Sequence, residues 1–124
     1  MNREIKFRGK RVNGGEWVYG MTISNGTIKR KLNNVFFEVA ENKWVGVYPE
    51  TLGQYTGLTD KNGVKIFEGD IISIGDPNIK YLTMWRNAGF AAKQIGASSY
   101  IGLTYWASDI EVLGNVIDNP ELMK

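Results

Sequence analysis

YTGLTDKNGVKIFEGDII, residues Tyr55–Ile72, reads as a strand, a tight turn, a second strand, a second turn and the start of a third strand. The first turn is Asp60-Lys61-Asn62-Gly63. Its residue order predicts a type I turn followed by a glycine in the left-handed region, the G1 bulge. Asp60 can accept backbone N–H groups across such a turn, and Gly63 supplies a positive φ that a side chain would penalise. A hairpin closed this way places Leu58 opposite Ile66, Gly57 opposite Phe67 and Thr56 opposite Glu68. Gly57 then leaves room for the Phe67 ring, with Tyr55 one diagonal away, and Thr56 can hydrogen-bond Glu68 across the strands. Glu68-Gly69-Asp70 forms the second turn, with Gly69 at positive φ and Asp70 closing onto the strand that follows.

The same logic extends outward in both directions. REIKFRGK (3–10) alternates Ile5 and Phe7 against Lys6, Arg8 and Lys10, the pattern of a half-buried strand with the basic residues facing water. VNGG (12–15) is a turn, and EWVYGMTIS (16–24) is a strand with Trp17, Tyr19, Met21 and Ile23 on one face. Asn25-Gly26 suits a type I′ hairpin returning as TIKRKL (27–32). That register sets Ser24 against Thr27, Ile23 against Ile28, Met21 against Arg30 and Tyr19 against Leu32, so Arg30 falls on the apolar face. VFFEVA (35–40), a turn at Glu41-Asn42 and KWVGVY (43–48) form the next hairpin, and PETLGQ (49–54) opens on a short helical turn. Beyond Ile74 come a GDPN turn (75–78), strands IKYLTMWR (79–86) and FAAKQI (90–95), a strand YIGLTYWA (100–107) and a last strand IEVLGNVI (110–117). Along IKYLTMWR, Ile79, Tyr81, Thr83 and Trp85 share one side and Leu82 and Met84 the other. DNPELM (118–123) places Asn119 as a helix N-cap and Pro120 at the first helical position, with Leu122 folding back on the core.

Many short strands separated by turns, with no long amphipathic helix, indicate an all-β chain. We read residues 1–124 as a single hairpin-built domain of barrel-like or pseudo-barrel architecture, ending in a short helical turn. The balance of 43% hydrophobic and 23% charged residues is that of a globular protein. The four tryptophans, Trp17, Trp44, Trp85 and Trp106, are assigned to the core of so small a chain.

The chain contains no Cys and no His. Disulfides, thiolate nucleophiles, imidazole bases and the common zinc ligands are therefore excluded. No apolar run approaches the roughly 20 residues of a membrane-spanning helix. Phosphate-loop, dinucleotide-binding, nucleophile-elbow and zinc-protease motifs are missing, and GLTDKNG leads into a strand rather than a helix N-terminus. Glu68 and Asp70 share a face of an extended chain and raise the thought of a cation site or an acid–base pair. Turn chemistry accounts for them without either. No catalytic residue, metal or cofactor is assigned.

Charge is distributed unevenly. Residues 1–31 hold eight basic residues against Glu4 and Glu16, a local +6, whereas the remaining seven basic and eleven acidic residues give −4. Such a split suits either nucleic-acid contact or head-to-tail association. Arg8, Lys10, Arg11, Lys29 and Lys31 are the candidate phosphate-contacting stripe, to be completed by an exposed aromatic ring.

Three ordered blocks, REIKFRGK (3–10), ETLGQYTGLTDKNGVKIFEGDII (50–72) and VLGNVIDNPELM (112–123), resemble the YopX family of phage and prophage proteins. The motif positions carried here are Gln54, Tyr55, Thr56, Gly57, Asp60, Gly63, Glu68, Gly69 and Asp70, which the turn and sheet reading treats as structural. The resemblance implies a predominantly β, homo-oligomeric protein of phage or prophage origin acting in the bacterial cytoplasm. It brings no established activity and no catalytic residues. The function expected is a non-catalytic binding or assembly role. The alternatives are a nucleic-acid-binding small barrel, and a counter-defence protein that binds a host protein or a small nucleotide.

Overall fold

The computed structural model describes residues 6–12, 14–20, 29–31, 34–40, 43–87 and 89–124. The chain is all-β. Its strands pair antiparallel in open sheets, and among the described residues none closes into a ring. The longest helical element described is a single turn, far short of a membrane span. Two compact units divide the chain, Met1–Tyr55 and Thr56–Lys124.

In the first unit, β1 (Phe7–Lys10) and β2 (Trp17–Gly20) form a hairpin in which Arg8 faces Tyr19 and Lys10 faces Trp17. The expected VNGG turn joins them, with Gly14 at φ 143° and Gly15 at φ 76°. The Gly15 N–H donates to the Arg11 carbonyl at 2.9 Å. Strands β3 (Lys29–Lys31), β4 (Asn34–Ala40) and β5 (Lys43–Val47) make an antiparallel meander. Val47, at the end of β5, is fully buried against Gly9. A Cβ on Gly9 would stand 3.0 Å from that of Val47, so close packing requires the glycine. The 3₁₀ turn Pro49–Thr51 follows as expected. Thr51 ties it down: its hydroxyl donates to the Tyr48 carbonyl at 2.6 Å and accepts the Lys10 N–H at 2.8 Å. Strand β6 (Gly53–Thr59) begins here, with Gly53 facing Arg8 and Gln54 facing Phe7.

The Asn25-Gly26 hairpin, its predicted register and the Glu41-Asn42 turn lie outside the described residues, as does the side chain of Arg30. The flanking pairs are consistent with the β4–β5 reading, since Ala40 faces Lys43.

The second unit carries β6 onward to β7 (Lys65–Phe67), β8 (Asp70–Ile74), β9 (Lys80–Arg86), β10 (Gly89–Gln94), β11 (Tyr100–Gly102) and β12 (Ile110–Asn115). Five of them form a sheet in the order β11-β10-β9-β8-β12. Register aligns Val112, Ile72, Tyr81 and Gln94 across one face. That face carries the core: Ile72, Ala92 and Ile110, joined by Ile66 and Leu103, are all at most 1% exposed. Burying each of the larger side chains, Ile66, Ile72, Leu103 and Ile110, contributes about 1.5–3 kcal/mol. The opposite face holds Ile71 and Ser73, also buried, and the C-terminal 3₁₀ turn Pro120–Met123.

Four sequence expectations change here. YIGLTYWA is not one strand: only Tyr100–Gly102 is extended, followed by a helical turn α1 (Leu103–Trp106) and a 3₁₀ turn Ala107–Asp109. The reason is topological. β11 and β12 lie on opposite edges of the sheet, so the link must cross it, and compaction drops Leu103 into the core. Asn119 stands at the N-terminus of the last turn but makes no side-chain cap. Its Oδ1 instead accepts the Asn115 N–H at 3.1 Å. Leu122 folds back onto Gly114, where an added Cβ would meet its Cδ1 at 3.1 Å, and so lies on the face opposite the core rather than on the core. Finally, Trp85 and Trp106 are 52% and 36% exposed. Trp85 has the parity of Tyr81 and Thr83 but sits beyond the core, edge-on to Phe90 at 4.8 Å.

Candidate functional site

The motif segment of the second unit is built around Asp60. Its buried carboxylate accepts the N–H groups of Asn62 (2.8 Å) and Val64 (2.9 Å) on Oδ1 and that of Val112 (3.0 Å) on Oδ2. The turn closes through the Gly63 N–H to the Asp60 carbonyl at 3.0 Å, with Gly63 at φ 83°. Asp60 N–H donates to the Val64 carbonyl at 2.7 Å, the pairing the predicted register requires. Burial opposes ionisation of Asp60. The backbone donors of Val112, Val64 and Asn62, with the Lys61 charge, outweigh it and hold the carboxyl below its ordinary range. Sequence reasoning foresaw the local bonds and missed the bond to Val112. Lys61 adds a second tie, its N–H donating to the Ile110 carbonyl at 2.9 Å. The turn therefore occupies backbone groups of β12, the last strand of the sheet, blunting that edge against further pairing.

The other motif residues also lie in strands and turns. Thr56 donates its hydroxyl proton to the Ile66 carbonyl at 2.7 Å, where the sequence suggested Glu68 as partner. Gly57 takes φ 87°, and a Cβ there would meet nothing within 4 Å. Its requirement is conformational, not room for Phe67. Gly69 takes φ 88° in the Glu68–Gly69 turn, and its N–H donates to the Thr83 carbonyl at 2.9 Å. Asp70, 2% exposed, closes that turn by accepting the Phe67 N–H on Oδ2 at 2.8 Å. Glu68 is half-buried beside it. Among the described residues, no three acidic groups gather as a metal site would need. Gln54 is exposed and Tyr55 half-buried on β6, where the Tyr55 N–H donates to the Lys6 carbonyl at 2.7 Å.

The basic candidates behave differently. Antiparallel pairing puts Arg8, Lys10, Trp17 and Tyr19 on one face of the β1–β2 hairpin. The Arg8 guanidinium carbon lies 4.7 Å from the Trp17 ring centre, and Lys10 Nζ lies 4.9 Å from it. Two cations thus share one indole, a cation–π arrangement. Arg8 was expected to face water; it is 8% exposed, its planar head laid against the ring. Tyr19, opposite Arg8, is 42% exposed. Arg11, exposed just past β1, pairs with Glu16 at 3.4 Å. Lys29 and Lys31 lie on β3, in the other sheet of the unit, and their side chains fall outside the described residues. The structure brings Arg8 and Lys10 together and adds Trp17 and Tyr19, which the strand parity of 16–24 already placed on one face.

A family model for the YopX protein matches residues 6–124, nearly the whole chain. The chain belongs to the YopX family. No curated protein sequence matches it. Among solved structures, this YopX chain is similar to protein EF1440 from Enterococcus faecalis, at 22% identity and a TM-score of 0.60. The match covers 99% of this chain and 100% of that one, which shows a shared fold.

Proposed function

We propose that this YopX chain is a non-catalytic binding protein of phage or prophage origin whose contact surface is the β1–β2 face, with single-stranded nucleic acid as its ligand. One observation carries the reading: Arg8 and Lys10 alternate with Trp17 and Tyr19 across two paired strands. Such a face offers what a single strand needs. Aromatic rings stack on bases, at about 1–3 kcal/mol per base, and cations meet the phosphates. Lys10, Arg11 and Tyr19 meet the strand, while Arg8, buried against Trp17, orients the ring. The +6 balance of residues 1–31 supplies long-range attraction of the right sign. Homo-oligomerisation in the bacterial cytoplasm, which the family resemblance implied, would repeat the face and lengthen the strand it follows.

The test is fluorescence anisotropy of a labelled single-stranded oligonucleotide, titrated with the chain across salt concentration. Binding should weaken linearly in log–log form, with a slope of about −0.7 per neutralised phosphate. Tyr19→Ala should weaken it further at every salt. Absence of binding at low salt would remove the proposal and leave a protein partner for this face.

A further inference from the structure

The geometry points to a second site, in the unit Thr56–Lys124, for a small anion that carries a single six-membered ring. A cavity of about 160 Å³ opens on the face of the five-stranded sheet away from the core. Leu82, Ile95 and Met123 give it apolar walls, and Lys93, Gln94 and Gly96 complete it. Roughly 150 Å³ is the size that accommodates one benzene-like ring. Complete pockets for larger ligands run from about 300 Å³ upward, so anything beyond a ring must lie outside on the neighbouring surface.

That surface is cationic and aromatic. Register runs Leu82, Lys93 and Tyr100 in one row across β9, β10 and β11. Arg86 is four residues beyond Leu82 on the same strand, hence on the same face. Its guanidinium carbon lies 3.9 Å over the Tyr100 ring centre. The stack fixes an otherwise mobile side chain and keeps its charge above the sheet. Lys93 Nζ is anchored at the cavity by donating to the Ala97 carbonyl at 2.6 Å, which leaves two of its three protons to offer. Neither Arg86 nor Lys93 meets a carboxylate among the described residues. Lys93 lines this ring-sized apolar cavity, and Arg86 is held over Tyr100, the register neighbour of Lys93 on β11. The arrangement suits a ligand with its ring in the cavity and its anion on Lys93, within the field of Arg86. A pyrimidine nucleotide and a simple aromatic carboxylate share this chemistry. The site shares no residue with the β1–β2 face, so failure of either proposal leaves the other standing.

Nuclear magnetic resonance titration of the full chain with cytidine monophosphate, benzoate, cytidine and inorganic phosphate tests this. Saturable binding of cytidine monophosphate or benzoate below about 10 mM, with shifts centred on Lys93, Gly96 and Tyr100, is the expected result, and the tighter of the two identifies the ligand source. Lys93→Met, which keeps the apolar stem, should weaken binding by about ten-fold or more. Arg86→Gln, at an exposed position, should weaken it less and leave the fold intact. No saturation with either ring-bearing anion overturns the proposal. So does binding of phosphate or cytidine as tight as that of the ring-bearing anions, or binding that both variants retain unchanged.

Discussion

The turn at Asp60 and the face at Trp17 use charge in opposite ways. Asp60 turns its carboxylate inward onto three backbone N–H groups, one of them 52 residues away on β12. Lys10 and Arg8 direct their charges at an aromatic ring on a sheet face. The segment 55–72, with its acidic residues and lysines around tight turns, looks like a site, yet its Asp60 and Asp70 carboxylates are spent on backbone amides. A charged residue whose hydrogen-bonding capacity is filled by its own backbone has little left for a ligand. The comparison is tested by asking whether stability and binding separate between the two regions.

The largest effect should come from Asp60→Ala. Three amides lose their acceptor, two of them in the turn between β6 and β7 and one on β12. Water can take over the amides of the exposed turn in part, so these two cost what a lost cap costs, about 0.5–2 kcal/mol, and the Val112 donor about 1–3 kcal/mol; a loss of about 2–4 kcal/mol is expected, equivalent to a fall of about 10 °C in melting temperature. Hydrogen exchange should show the Val112 amide losing protection ahead of the core strands. A change confined to residues 60–64 would mean that the tie to β12 contributes little. The same carboxylate predicts a pH dependence. Its folded pKa lies below the unfolded value, so its contribution is complete above the unfolded pKa near 4 and is lost as pH falls through the folded value. Urea midpoints from pH 7 down to about 2.5 should fall in acid, and Asp60→Asn should flatten that slope.

Glycines give the next effects and separate space from conformation. At Gly114 an added Cβ would run into Asn119 Oδ1 and press on Leu122. Gly114→Ala should therefore cost about 1–3 kcal/mol by overpacking and loosen the C-terminal turn. At Gly57 there is open space but a positive φ, so Gly57→Ala should cost only about 1–2 kcal/mol. Denaturant midpoints of the two variants check the order. Equal costs would mean that the C-terminal turn yields easily.

What the sequence made legible was local. Gly63, Gly69 and Gly75 each announce a turn because the positive φ needed is one that few residues tolerate, and Asp60 announces one because its carboxylate can accept the turn's own amides. Strand parity placed Lys10 with Arg8 and Trp17 with Tyr19. Parity does not say what covers a face, so Arg8 was read as solvated and Trp85 as buried, and both were reversed. The Asp60–Val112 bond depends on where a strand 52 residues away arrives. Residues 103–109 could not be read correctly without knowing that β11 and β12 end on opposite edges. The cation–π cluster was missed for a related reason: the basic stripe and the aromatic strand were each visible, but no motif announces their pairing.

The smallest effect on stability should fall on Lys10, which the proposed function places against the ligand. Lys10 is half-buried, and its charge contributes about 0.5–1 kcal/mol against the Trp17 ring. Lys10→Gln keeps much of the stem and the backbone N–H that Thr51 accepts. Its melting temperature should drop by only a few degrees, much less than that of Asp60→Ala. Oligonucleotide binding should respond in the reverse order. Removing one phosphate contact should reduce the salt slope by about 0.7, whereas Asp60→Asn, measured well below its melting temperature, should leave the slope unchanged. If Lys10→Gln altered neither slope nor affinity while unfolding the chain as readily as the Asp60 variants do, the β1–β2 face would be scaffold too, and the contrast between the two regions would be lost.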